Sequence, residues 1–279
     1  RRVDIQDFMI MCPGATSFAE ALDWTAEVYI AAGALMKERG ILQGVADEGG
    51  YWPAFGSNEE VLETLVTAIE RAGFKAGEQI GISLDIAASE FGKDGIYTLA
   101  LGGKKYDTDE WIAILGQWLS DYPILSVEDP LGEDDTKGFQ IFTRLYGANC
   151  QIIGDDYLVT NAARVTRAAV EKALTAVLIK PNQAGTITET RKALEAGKAA
   201  GLGTIVSARS GETEDVIISH LSTGWDAGQF KVGSFARSER MAKWNECLRI
   251  EEALGPRARF AGRDGLVFAT EISERAAGE

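Results

Sequence analysis

The sequence predicts an α/β fold of the (β/α) barrel type, and three observations carry the prediction. Strand-like apolar runs alternate with helical stretches along the whole chain. From Glu128 onward the strand ends fall at positions 128, 155, 180, 207 and 231, spacings of 27, 25, 27 and 24 residues. That beat suits one strand, one helix and two short loops. No G-x-G-x-x-G follows any strand, where a doubly wound dinucleotide-binding sheet would carry one. Unbroken β/α alternation favours a parallel sheet, and without the dinucleotide fingerprint a barrel is the better reading.

Phe8–Met11 reads as the first strand. Residues 18–39 read as a long helix, with Ala19, Leu22, Ala26, Val28, Ala32, Leu35 and Met36 at helical period and Gly40 ending it. Ser57-Asn58-Glu59-Glu60 has the form of a capping box, opening a helix through Val61, Leu65, Ala68 and Ile69 to Gly73. Ile80–Asp85 is the next strand. Thr108-Asp109-Glu110 opens a helix carrying Trp111, Leu115 and Leu119. The strands Ile124–Glu128, Gln151–Asp155, Ala176–Lys180, Thr204–Ser207 and Gln229–Lys231 follow, with Asn161 and Thr186 as caps of two intervening helices.

A chain of 279 residues suits one large α/β domain, and residues 1–279 are read as one catalytic barrel domain. A formal net charge of −14 argues against nucleic acid and anionic membrane as partners, since both require basic surface. The simplest reading of that charge is solubility; part of it can instead converge on a metal. The three cysteines, Cys12, Cys150 and Cys247, are too few and too widely spaced for a disulfide framework or a zinc site. A reducing cytoplasm is therefore the expected compartment. No apolar run approaches the roughly 18 residues of a membrane span. Arg1-Arg2 resembles a twin-arginine start, but Val3-Asp4-Ile5-Gln6-Asp7 follows where an apolar stretch is needed. The chain does not begin with Met.

The strand ends carry the chemistry. Apolar strands finish in Asp85, Glu128, Asp155, Lys180, Ser207 and Lys231. In a (β/α) barrel the C-terminal strand ends meet at one face, which holds the active site. Three carboxylates gathered there would be desolvated and would repel one another, and a divalent cation resolves both problems. Hard oxygen ligands favour Mg²⁺, Mn²⁺ or Ca²⁺, and Mg²⁺ best where a substrate oxyanion completes the shell. Beside bound cations the Lys180 pKa is expected below its ordinary value, which would make Lys180 a general base. Lys231 reads as a second base or a fixed charge for substrate; for either lysine the plainer role is a salt bridge to the carboxylates. The polar loop Ser207–Asp215 offers Arg209 and Ser210 as a phosphate cradle. In Asp47-Glu48-Gly49-Gly50 the glycines let a loop bend over a ligand, with Glu48 as a proton donor on a closing lid.

These stretches, taken together, resemble the enolase family. The resemblance runs from Gln6-Asp7-Phe8-Met9-Ile10 to Arg249-Ile250-Glu251-Glu252. It passes through Asp47–Gly50, Leu84–Phe91, Ser126–Pro130, Gly154–Asp156, Val159–Asn161, Lys180–Gln183, Arg209–Asp215 and Arg237–Arg240. It implies that Asp85, Glu128 and Asp155 bind Mg²⁺ and that Lys180 abstracts the proton α to a carboxylate. It implies that Glu48, with Asp7 beside it, assists departure of a hydroxyl. Lys231 and Gln6 would hold the carboxylate end, and Arg209 and Ser210 the phosphate. A Lys or His base beside one or two Mg²⁺ ions is a known property of this superfamily, so the pairing comes from the resemblance. The implied reaction is loss of water from 2-phosphoglycerate to give phosphoenolpyruvate, in a homodimer or homo-octamer.

The departures from the family pattern are as specific. Gln6-Asp7 stands where the family carries Gln-Glu, and Ala208 where its Ser-His-Arg-Ser-Gly loop carries histidine. Lys180-Pro181-Asn182 replaces Lys-Val-Asn, and Trp52-Pro53 replaces Ala-Pro. The one histidine, His220, falls in the next helix and reads as structural. The family's first barrel strand and N-terminal α+β capping domain have no counterpart here. Seven strands leave open edges, so a longer natural chain, a partner or a swapped segment is expected to fill the gap. Changed Asp7 and Ala208 also fit an enolase relative of specialised metabolism, acting on a phosphonylated acid as carboxyphosphonoenolpyruvate synthase does. A non-catalytic scaffold is the third reading.

Overall fold

In the computed structural model, which describes residues 3–272 and Arg275, the expected strands and helices assemble around one curled sheet. Arg1 and Arg2 lie outside the described residues. The chain enters through β1 (Asp7–Met11), turns into α1 (Phe18–Glu38) and forms a hairpin of β2 (Leu42–Val45) and β3 (Tyr51–Pro53). It returns through α2 (Asn58–Arg71) to β4 (Gly81–Asp85). A three-stranded excursion, β5 (Gly92–Lys93), β6 (Ile96–Thr98) and β7 (Lys105–Asp107), leads into α3 (Thr108–Asp121). Regular alternation then sets in. The elements are β8 (Ile124–Glu128), α4 (Thr136–Tyr146), β9 (Gln151–Gly154), α5 (Ala162–Val170), β10 (Ala176–Ile179), α6 (Pro181–Ala184), α7 (Ile187–Ala199), β11 (Gly203–Ser207), α8 (Ile217–Gly224), β12 (Gly228–Lys231) and α9 (Ser238–Leu254).

The main sheet has seven strands in the order β1-β4-β8-β9-β10-β11-β12. It is parallel except at its first pair, where β1 runs antiparallel to β4 with Asp7 opposite Asp85. This corrects the expectation of an all-parallel sheet. Two helices separate β1 from β4, and the second undoes the return made by the first. As a result the start of β1, not its end, lies at the mouth where the other strands end. β4, β8, β9, β10 and β11 are buried along their whole length. β10 is accordingly apolar throughout, whereas β4, β8, β9 and β11 also bury polar side chains such as Ser83, Ser126, Gln151 and Thr204.

Local chemistry explains the helix starts. Ser57 accepts the Glu60 amide at 3.1 Å, but the Glu60 carboxylate goes to Gly56 N and Arg39, so only half of the expected capping box forms. The complete box lies at α3, where the cap is Asp107, one residue before the expected Thr108. Asn161 and Thr186 cap α5 and α7 as the sequence predicts. Cys12, Cys150 and Cys247 are buried thiols.

Inside the curl, Ile153, Ala176, Leu178 and Ile205 form a small cluster separate from the large core between sheet and helices. Below it Gln151 donates to Ser126 Oγ and Gln229 Oε1, both at 3.1 Å. Gln229 in turn donates to Gly265 O at 2.8 Å, and Val267 N donates to Gln151. The segment after α9 thereby closes the end of the sheet opposite the strand termini. No helix among the described residues is long and apolar enough to cross a membrane.

Candidate active site

Side chains in a strand alternate faces. Counting forward by twos from the cluster inside the curl, and across the register to the neighbouring strands, Asp85, Glu128, Asp155, Lys180, Ser207 and Lys231 all fall on the inward face at the same end. Asp85 pairs with Glu128 across β4 and β8, and Ser207 with Lys231 across β11 and β12. Asp155 and Lys180 sit one residue beyond β9 and β10. Because β1 runs the other way, Gln6 and Asp7 join them from its start.

The carboxylates are almost fully enclosed, with Asp85 3%, Glu128 1% and Asp155 6% exposed. Lys231 Nζ donates to Asp85 Oδ2 at 2.7 Å and to Glu128 Oε2 at 2.9 Å. That contact joins the last strand of the order to the second and third, so the sheet curls upon itself. Lys180 Nζ is paired with Asp155 Oδ2. Gln6 Nε2 reaches Asp85 Oδ2 at 3.2 Å, and Gln183 Nε2 reaches Asp155 Oδ1 at 2.9 Å. Glu128 Oε1 and Asp7 Oδ2 are buried with no hydrogen-bond partner among the described residues. An unsatisfied carboxylate oxygen in such a site is costly, and it is a donor atom that a hard cation would take.

These neighbours set the protonation states. Burial raises the Asp85 pKa, but Lys231 more than reverses it and holds Asp85 below the usual carboxylate range. Glu128 is held well above that range, by burial first and then by the Asp85 charge. Asp7 is pushed up to about 7, by burial and then by the charge of Glu48. Burial pulls the Lys180 pKa down, but Asp155 and Glu128 outweigh it, so Lys180 lies above its ordinary value. Lys231 lies well above it for the same kind of reason, with Asp85 and Glu128 opposing burial. The expected fall of the Lys180 pKa is thus not produced by the protein's own groups. Carboxylates outnumber ammonium groups around it, and they favour the charged lysine.

Two further loops complete the site. Glu48 lies in the turn of the β2–β3 hairpin, and Ser210 Oγ donates to its Oε1 at 2.8 Å. The turn is clasped by the segment after β12. Ser234 N donates to Glu48 O at 2.8 Å, Ala236 N to Gly49 O at 3.1 Å and Arg237 Nε to Ala46 O at 3.0 Å. Gly49 has φ +80, and a Cβ there would stand 2.1 Å from Ala236 O, so only glycine fits. Arg209 is turned toward Asn182 Oδ1 at 3.4 Å, and its amide donates to Glu212 Oε1 at 3.1 Å. Gln6, Asp7, Glu48, Glu128, Ser210 and Lys231 line one cavity of about 880 Å³, which extends along the edges of β1 and β12.

The structure thus brings Gln6, Asp7, Asp85, Glu128, Asp155, Lys180 and Lys231 to one mouth, with Glu48 and Ser210 paired above it. Ser207 is committed locally, its hydroxyl donating to Ala208 O at 2.8 Å. Ala208 is buried and its amide donates to Lys231 O at 2.9 Å. His220 is 54% exposed and bonded to Glu246 at 3.0 Å, on the outside of the sheet.

Sequence reasoning gave no role to Asp129, Asp156, Thr160 or Gln183. Oxygens of Asp129, Asp155 and Asp156 lie within 4.8 Å of one another, a second set able to hold a metal ion. In that set both Asp129 oxygens already accept backbone amides, from Asp155 at 2.9 Å and Asp156 at 2.7 Å. Thr160 accepts from Lys180 N and donates to Gln183, fixing the Asp155–Lys180 pair from behind. Ala87, Asp129, Val159 and Thr160, just beyond β4, β8 and β9, all have left-handed backbone. Such strain, on the order of 1 kcal/mol per residue, gathers where side chains must be aimed. The positions were visible in sequence as Glu128-Asp129-Pro130 and Asp155-Asp156; the turns that give them their roles were not.

The family described as enolase, C-terminal TIM barrel domain, matches residues 1–268, nearly the whole chain. With a curled α/β sheet, strand ends that converge on buried acids and this match, the chain belongs to the enolase family through that barrel domain.

Proposed function

We propose that the chain, as one catalytic barrel domain over residues 1–279, is a Mg²⁺-dependent lyase that takes 2-phosphoglycerate to phosphoenolpyruvate and water. The observation that carries this reading is the convergence of three buried carboxylates from successive strands, with an orphaned oxygen on Glu128 and an ammonium group on either side. Asp85, Glu128 and Asp155 are the ligands we assign to Mg²⁺. Their donor chemistry fits, since all are hard oxygens and one has no other partner. Bound there, Mg²⁺ would stabilise the charge that builds on the substrate carboxylate as its α-carbon is deprotonated.

The chain's own residues supply the proton transfers. A bound cation would offset the carboxylate charge that raises the Lys180 pKa and would leave burial to lower it. As a neutral amine Lys180 would take the α-proton. The hydroxyl leaves with a proton from Glu48, and Asp7, poised near neutrality, shares that proton reservoir. Lys231 and Gln6 hold the carboxylate end, and Arg209 and Ser210 the phosphate.

Ultraviolet monitoring of phosphoenolpyruvate formation tests the reading. Turnover should depend on Mg²⁺ and fall on the order of a thousandfold in Lys180→Ala. A folded, Mg²⁺-supplemented protein with no turnover contradicts it. In that event Ala208 favours the second reading, a phosphonylated carboxylic acid as substrate, because the mouth lacks an imidazole. Activity on 2-phosphoglycerate that appears only in Ala208→His supports that alternative. The non-catalytic reading would leave three buried acids without electrostatic purpose.

A further inference from the structure

The loop proposed to cradle the phosphate is held from below by α9, through two cations that no proposed step uses. Arg240 is fully buried, 0% exposed. Its Nη1 donates to Arg209 O at 2.7 Å and Val232 O at 2.8 Å, and its Nη2 to Ser210 O at 2.6 Å. Lys243, one turn further on, is also fully buried and donates to Thr213 O at 2.7 Å. It pairs with Glu212, whose carboxylate accepts the Arg209 amide.

The two cations differ in one respect. Lys243 has a carboxylate partner, whereas among the described residues the partners of Arg240 are neutral carbonyls and its Nε is unsatisfied. Burying a guanidinium without a counter-charge costs several kcal/mol, only partly offset by charge-assisted hydrogen bonds. A neutral side chain would brace a loop at lower cost. A charge is worth that cost where an anion arrives nearby. Arg240 holds the carbonyls of the very two residues, Arg209 and Ser210, whose side chains would meet it, and the end of the strand segment that carries Lys231.

We propose that Arg240 is a positioning residue for the anionic group of the substrate. It fixes the Arg209–Ser210 backbone in the binding geometry, and its uncompensated charge lies beneath the bound phosphate or phosphonate. The proposal rests on the reading of Arg209 and Ser210 as the phosphate cradle.

Calorimetric titration of the whole chain with inorganic phosphate, and separately with Mg²⁺, tests it in the wild type, Arg209→Met, Arg240→Met and Arg240→Lys. Arg240→Met should weaken phosphate binding about tenfold, the size of one lost charge-assisted hydrogen bond, with Mg²⁺ affinity unchanged. Arg240→Lys, which keeps the charge and loses the fork, should recover part of the loss. It also decides the matter should Arg240→Met not fold. A merely structural role would alter both affinities together or neither. If the wild type binds phosphate and Arg209→Met weakens it, but folded Arg240 variants bind as the wild type does, the Arg240 proposal is overturned and the cradle stands. If the wild type binds no phosphate, the cradle reading itself is overturned.

Discussion

At neutral pH Asp7 stands between its two protonation states, because burial and the Glu48 charge have moved it from 3.8 to about 7. The folded protein therefore keeps a proton that the unfolded chain releases above about pH 4. The group's contribution to stability is full below that pH and is lost as pH rises toward 7, with a slope of up to about 1.4 kcal/mol per pH unit. Urea unfolding of Asp7→Asn across this range should show a slope shallower by about one proton; an unchanged slope would mean that Asp7 ionises normally. Most of the mouth was legible at this scale, because an acid or lysine that ends an apolar strand has little reason to be there except chemistry. The protonation of Lys180 was not legible. Its sign depends on how many carboxylates lie within a few ångströms, and spacing along the chain does not count them. Asp129 was hidden for a related reason, since its work is to accept two amides from a turn that has no sequence signature.

The β2–β3 hairpin carries Glu48, the proposed proton donor, in its turn. Gly49→Ala forces a Cβ against Ala236 O and should unseat the turn. A loss of about 1–3 kcal/mol in thermal unfolding is expected, together with at least tenfold lower activity. Retained activity would show that Glu48 is not needed where the clasp holds it. As a contrast far from the mouth, Ser57→Ala removes the cap of α2 and should cost about 1 kcal/mol with activity intact. The hairpin escaped sequence reading because Leu42–Val45 is exposed throughout and shows no apolar alternation. α9 gave a similarly poor signal, since its buried positions include Arg240 and Lys243, and buried cations break the apolar stripe by which helices are recognised. The strands from β8 to β11 were legible because each is buried along its length around apolar residues, and the partly buried β12 was legible from the regular spacing of the strand ends.

For the whole molecule, the consequence of this arrangement is that folding concentrates negative charge. A chain of net charge −14 turns three of its acids inward, where Lys180 and Lys231 offset them incompletely. Mg²⁺ that binds only the folded form should therefore stabilise it, by about 2.7 kcal/mol at a concentration one hundred times its dissociation constant. Thermal unfolding with and without Mg²⁺ checks this; an unmoved midpoint would contradict it. The proposed function puts the ion on Asp85, Glu128 and Asp155 rather than on Asp129, Asp155 and Asp156. Asp155 belongs to both sets, so the other members decide. Calorimetric titration of Mg²⁺ into Asp85→Asn and Glu128→Gln should show binding weakened at least tenfold in each. Binding as tight as that of the wild type in both variants would contradict the account.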